Sequence, residues 1–179
     1  MAIKPTIYKM RIALSDLERN YYDNLSLTVA LHPSETPERM MARVLAFCIN
    51  AQAGLAFTKG LSEVEEPDLW VRTLDEQTSL WIDVGEPSPE RVKKATRLAR
   101  AVKIYSFNTK SEAWWDQLEN KFAQFDVEIV RLNSSDIKHL AQLLQRTLDL
   151  SVTVTGQSAF IATNEGEIEV NWDVLQQTK

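Results

Sequence analysis

Residues 65–94 read EEPDLWVRTLDEQTSLWIDVGEPSPERVKK, and this stretch decides the fold. Pro67-Asp68 opens one run of strand-forming residues, Leu69 to Thr73, and Ser79 to Val84 forms a second. A polar turn around Asp75-Glu76 separates them. β-Branched and aromatic runs bounded by turn residues read as strands. Ser88 then stands as a helix N-cap with Pro89 at the first helical position, where its missing N–H is harmless. A turn symmetric about Asp75-Glu76 sets Asp68 opposite Asp83, Leu69 opposite Ile82 and Trp70 opposite Trp81. Directly opposed residues have Cβ atoms about 4.5–5.5 Å apart, so two carboxylates in that register repel. A divalent cation relieves the repulsion, because hard cations such as Mg²⁺ prefer carboxylate oxygens. Without one, one acid takes a raised pKa. A slip of one residue would send the acids to opposite faces, leaving a Pro-Asp turn and an acid at a strand end.

The charge pattern changes sharply after the hairpin. Residues 61–90 hold nine acids and one base, whereas residues 91–103 hold six bases and no acid. The helix from Pro89 carries a stripe of Val92, Ala95, Leu98, Ala99 and Val102, which leaves Lys93, Lys94, Arg97 and Arg100 on the other side. Lysine beside a metal-bound phosphate stabilises developing negative charge, so Lys93 and Lys94 are candidate catalytic residues. Arg91, Arg97 and Arg100 are candidate nucleic-acid contacts. The alternative for this basic run is a solvated helix face.

Outward from the hairpin, helices and strands alternate between residues 36 and 132, the pattern of a mixed α/β core. Thr36, Pro37 and Glu38 start a helix whose apolar face holds Met40, Met41, Val44, Leu45, Phe47 and Cys48. Glu38 in its first turn is favoured by the helix dipole alone. Leu55 to Thr58 reads as a short strand stopped near Gly60, and Lys103 to Phe107 and Val127 to Leu132 as further strands. Ser111 caps a helix with Trp114, Trp115, Leu118 and Phe122, and Ser134 or Ser135 caps another with Ile137, Leu140, Leu143 and Leu144. Both ends are β-rich. Ile3–Leu14 and Tyr21–Leu31 alternate as a hairpin around a turn from Ser15 to Asn20. Residues 148–155 and 158–163 form a second hairpin, and 167–172 a last strand. The ends either pair with each other or form a small second sheet.

The 179 residues are expected to form a single domain spanning 1–179, large enough to bury roughly 70% of the unfolded surface. Cys48 is the only cysteine, which excludes an internal disulfide and a zinc site of several thiolates. No apolar run approaches the roughly 20 residues of a membrane helix. The N-terminus lacks the apolar core of a signal peptide, so a cytoplasmic location and no membrane partner are expected. A formal net charge of −5 argues against nonspecific coating of nucleic acid. His32 and His139 lie far apart, and the five glycines show no phosphate-cradling spacing.

Four blocks together carry a resemblance: HPSETPERMMARVLAF (32–47), FTKGL (57–61), EEPDLW (65–70) and LWIDVGEPSPERVKKA (80–95). They closely resemble the YaeQ family of small bacterial proteins, over nearly the whole chain. That resemblance implies a compact variant of the PD-(D/E)XK fold: a central mixed β-sheet flanked by helices, a restriction-endonuclease-like core, and additional N- and C-terminal strands. By position, Glu38 matches that core's helix glutamate, Pro67-Asp68 its Pro-Asp element and Asp83 its second strand acid. Gly85 stands where the pattern places a lysine, for which Lys93 or Lys94 is the candidate replacement.

Two functions follow as expectations. One is a Mg²⁺- or Mn²⁺-dependent phosphodiesterase acting on nucleic acid, with the metal on Asp68 and Asp83 and with Glu38, Lys93 or Lys94 completing the site. The other is a catalytically inactive nuclease-fold module that binds nucleic acid or a protein partner.

Overall fold

A computed structural model describes residues 4–59 and 63–179. The expected strand start at Ile3 and strand stop at Gly60 lie outside the described residues. The chain forms β1 (Thr6–Asp16), β2 (Tyr21–Leu31), α1 (Pro37–Ile49), β3 (Leu55–Phe57), β4 (Leu69–Arg72) and β5 (Thr78–Val84). It continues through α2 (Pro89–Leu98), β6 (Ala99–Ser106), α3 (Ser111–Phe122), β7 (Glu128–Leu132) and α4 (Ser134–Gln142). A three-strand meander closes it: β8 (Thr147–Thr155), β9 (Ser158–Thr163) and β10 (Gly166–Gln176). The architecture is mixed α+β.

The strands join in the order β2-β1-β8-β9-β10-β7-β6-β5-β4-β3. The two β-rich ends do pair: β1 runs parallel to β8, with Met10 opposite Leu148 and Leu14 opposite Val152. β10 then bridges the end strands to the central ones, antiparallel to β9 and to β7. β5, β6 and β7 are parallel neighbours, connected by α2 and α3. The hairpin register is the one the sequence implies, with Leu69 opposite Ile82 and Trp70 opposite Trp81. A bulge between Val71 and Arg72 pairs Arg72 with Thr78. Period-two alternation sorts β5 between two cores. Leu80, Ile82 and Val84 join the larger cluster with α1 and α4, whereas Trp81 joins Val92, Ala95, Val102, Ile104 and Phe122 under α2 and α3.

Several local expectations are corrected. The helix from Pro89 stops at Leu98, and Ala99 is already extended at φ −132° and ψ 152°. Val102 and Arg100 therefore belong to β6. Val92 and Ala95 fill the helix's buried stripe, and the run Val102-Lys103-Ile104-Tyr105 fits a pleated, buried surface better than a helix. Leu98, expected inside, is 50% exposed. Ser111 is the first residue of α3 rather than its cap; its hydroxyl is buried and bonded to Ser106. Asn133 caps α4, its side chain accepting from Asp136 N at 2.9 Å, in place of either serine. The first turn begins after Asp16, which stays in β1 and accepts from the Glu18 and Arg19 amides.

α1 is buried without a break from Met40 to Cys48, including Arg43. The Arg43 guanidinium is matched by Glu35, at 2.8 Å from Nε and 2.7 Å from Nη2, and donates to Ala30 O at 2.9 Å. Removing one member of a buried pair leaves the other charge uncompensated. Glu35→Ala should therefore destabilise the protein by about 3–5 kcal/mol in urea unfolding. A loss under about 1 kcal/mol would mean that water reaches Arg43.

Candidate functional site

The Asp68 amide donates to Ile82 O at 3.0 Å, just beyond the last β4–β5 pair, Leu69 opposite Ile82. Asp68 and Asp83 line one cavity, near enough for the Asp68 charge to act on Asp83. Both acids are buried, their side chains 8% and 4% exposed. They lie at the carboxyl end of β5, where α/β sheets commonly place ligands.

A guanidinium meets each acid. Arg39, from α1 on one face of the sheet, donates to Asp68 Oδ1 at 2.6 Å. Arg91, from α2 on the other face, donates to Asp83 Oδ2 at 2.8 Å and Oδ1 at 3.1 Å. The remaining oxygen, Asp68 Oδ2, accepts the Val84 amide at 2.7 Å. Arg39 also reaches Glu35 at 2.6 Å, and Arg91 the carbonyls of Val64 and Glu66 at 2.7 and 2.9 Å. The two arginines occupy equivalent places. Thr36-Pro37-Glu38-Arg39 and Ser88-Pro89-Glu90-Arg91 each start a helix, and each hydroxyl accepts from the arginine amide at 3.2 Å. In both helices the arginine is the third residue, the position an N-cap side chain normally bonds.

Burial pushes the Asp83 carboxyl pKa above 3.8; Arg91 opposes the shift and the Asp68 charge adds to it. On Arg91 burial is the largest single influence and lowers the pKa, but Asp83, Asp68 and Glu65 together raise it. The two directions agree once exposure is counted, because the Arg91 side chain is 31% exposed and that of Asp83 only 4%. The buried Trp81 Nε1 has no hydrogen-bond partner of ordinary geometry. Its N–H is nevertheless near enough to Asp83 to favour the ionised form. The acids open on a cavity of about 310 Å³ that Glu63, Glu66 and Glu86 also line, so five carboxylates face two guanidiniums. Glu86 Oε2 accepts from Ser106 Oγ and the Phe107 amide, both at 3.1 Å.

The other expected site residues go elsewhere. Glu38 is half-buried in the first turn of α1 and does not line the cavity; Arg39, its neighbour, does. Lys93 and Lys94 are exposed and outside the cavity, and Lys94 pairs with Glu65. Arg91, expected on a nucleic-acid surface, turns inward. Arg97 is exposed on α2, while Arg100 sits on β6 and donates to Gln77 at 3.1 Å. Gly85 adopts φ +128°, a conformation that side-chain-bearing residues rarely take. The backbone thus disfavours lysine there, although a Cβ would meet no atom within 4 Å. The sequence reading missed Glu35, Arg39 and the inward turn of Arg91. The repeated Thr/Ser-Pro-Glu-Arg tetrapeptide was the available signal.

All four oxygens of the acid pair already accept from protein donors, and a fixed positive charge stands beside each carboxylate. In this arrangement the residues do not fit a resident metal. Among the described residues, no group of three His, Cys, Asp or Glu side chains is arranged to hold one.

The fold and site define a mixed α+β protein with an arginine-paired acid couple at the sheet end. The family model for YaeQ protein matches residues 1–172, and the chain belongs to that family. Proteins described as uncharacterized YaeQ from Salmonella typhi and Escherichia coli K12 are each 36% identical over 179 residues, 99% of both chains. The crystal structure of YaeQ from Xanthomonas axonopodis pv. citri superposes with a TM-score of 0.94 at 34% identity, covering 97% of this chain and 99% of that one. The Pseudomonas syringae YaeQ structure gives 0.91 at 31% identity, covering 96% of each chain. No helix among the described residues is long and apolar enough to cross a membrane.

Because the folded-state pKa of Asp83 lies above its unfolded value of 3.8, its titration favours the folded state below that value. The benefit fades as pH rises through the folded pKa. Asp83→Asn removes this titration. Its destabilisation should be larger at about pH 3.5 than at about pH 7 in parallel urea unfolding; a penalty that grows with pH would show that pairing outweighs burial. Gly85→Ala and Gly85→Lys should each cost about 1–3 kcal/mol through backbone strain, read by the same method. Equal stability would mean that this turn relaxes freely.

Proposed function

We propose that this protein is a nucleic-acid-binding module built on a nuclease-like scaffold, in which the acid pair has a structural rather than a catalytic role. The succession α1, β3 to β5, α2, β6 follows the order of a restriction-endonuclease-like core and supports that scaffold. The observation that carries the reading is the saturation of Asp68 and Asp83 by Arg39, Arg91 and the Val84 amide. Gly85 adds support, since its backbone disfavours the lysine that hydrolysis by such a core uses. Arg97 and Lys93 are exposed on α2 without an acidic partner among the described residues, which leaves them available to phosphates.

A second reading is a Mg²⁺- or Mn²⁺-dependent phosphodiesterase. One observation favours it: the two acids stand side by side in a cavity whose other carboxylates outnumber its cations. It requires Arg39 and Arg91 to leave their partners. Calorimetric titration of the EDTA-treated protein with Mn²⁺, together with incubation on DNA and RNA, separates the two. The binding-module reading expects no stoichiometric Mn²⁺ binding and no cleavage. Cleavage that Asp83→Asn abolishes in a folded protein would replace it with the phosphodiesterase.

A further inference from the structure

On the far side of Trp81 from the acid pair, a cleft of about 600 Å³ runs between the β4–β5 hairpin and the junction of α2 with β6. Trp70 and Trp81 line it, and Arg72, Arg97 and Arg100 surround it. Among the described residues none of the three guanidiniums has an ion-pair partner. Arg72 donates to the Glu76 carbonyl, Arg100 to the neutral Gln77 amide, and Arg97 makes no side-chain bond among the described residues. Guanidiniums normally find carboxylates, so three unmatched ones around one cleft in an acidic protein form a local exception. Glu65, Glu66 and Glu76 line the cleft as well and temper its charge, but none of their carboxylates contacts one of the three arginines. Glu65 is taken by Lys94, Glu66 accepts the Lys59 amide at 3.3 Å, and only the Glu76 carbonyl meets Arg72. Asp75 feels the Arg100 charge from the hairpin tip without bonding to it.

The cleft also offers a plane. The Arg72 guanidinium lies over the Trp70 ring, 4.8 Å from its centroid, and the exposed arginine faces solvent. Unpaired bases stack on aromatic rings and on guanidinium planes, whereas duplex bases have both faces covered.

We propose that this cleft binds single-stranded nucleic acid, with an unpaired base on the Arg72–Trp70 stack and flanking phosphates on Arg97 and Arg100. The inference rests on the binding-module reading and gives that module its surface and its substrate class. It places recognition on the hairpin, the end of α2 and the start of β6 rather than on the acid pair.

The test is fluorescence anisotropy in EDTA, using labelled 12-mers of dT and U, a 12-bp duplex and a mononucleotide at two salt concentrations. Single strands should bind tighter than duplex or mononucleotide. Arg97→Glu/Arg100→Glu should weaken single-strand binding at least tenfold and flatten the dependence of log K on log salt by about 1.4, from about 0.7 for each of two phosphate contacts. Trp70→Leu should weaken it at least fivefold, with the salt slope kept, since stacking is not screened. Lys121→Glu/Lys138→Glu, an equal charge change on exposed residues of α3 and α4, should have less than a threefold effect. Circular dichroism of each variant secures the fold.

Single-strand binding that the cleft variants leave intact overturns the cleft while the module reading stands. Cleft-dependent binding with Mn²⁺-dependent cleavage keeps the cleft and overturns the non-catalytic reading. Equal binding of duplex, or displacement by poly-glutamate as readily as by unlabelled oligonucleotide, overturns single-strand recognition. No binding of any nucleic acid overturns both and leaves a protein partner.

Discussion

Two aspartate–guanidinium pairs at one end of the sheet hold its layers in place. Arg39 and Arg91 sit in the first turns of helices on opposite faces, the end of a helix dipole where a cation is disfavoured by about 0.3–1 kcal/mol. Glu38 and Glu90 offset part of that. The carboxylates they reach account for the arginines being there. Each pair ties the start of a helix to the same strand ends, so α1 and α2 are fixed in angle and height by polar contacts while the apolar clusters fix their depth.

Burying like-charged acids side by side is costly, and the raised pKa of Asp83 records that cost. Pairing does not turn such a site into a strong source of stability, because desolvation consumes most of the Coulombic gain. Geometric definition is the better account of its presence. All four oxygens are used, the donors come from three separate elements, and no other placement of those elements satisfies the same set. Glu35 extends the arrangement by touching both Arg39 and Arg43, which links the acid pair to the buried interior of α1.

Local signals carried much of this. Alternation and turn residues located the strands, and the expected hairpin register holds from Leu69–Ile82 to Val71–Leu80, whereas a bulge at Arg72 breaks the symmetry of the turn itself. Where two tendencies competed, the reading failed. The stripe Val92, Ala95, Leu98 runs on into Val102 at helical spacing, but tertiary pairing with β5 draws residues 99–106 into a strand. Charge was the harder problem. Lys93, Lys94 and Arg91 are equivalent as symbols, and only the rotation of α2 about its axis decides that Arg91 points inward and the lysines outward. The parallel pairing of β1 with β8 was one of two open possibilities, because no periodicity tells a strand which distant strand it will meet.

That pairing governs how the protein is made. Arg11 and Asp149, which grip each other across β1 and β8, are 138 residues apart. At about 5–20 residues per second, synthesis of the intervening chain takes on the order of ten seconds. Until β8 is made, Met10, Ile12 and Leu14 lack their β8 partners Leu148, Leu150 and Val152, and one edge of β1 stays unpaired. Vectorial translation therefore leaves the first-made element waiting for one of the last, and an open edge of that kind is a template for wrong partners. On the outer face of β1, Lys9 and Arg11 alternate with those apolar residues, and charged side chains of this kind blunt an open strand edge.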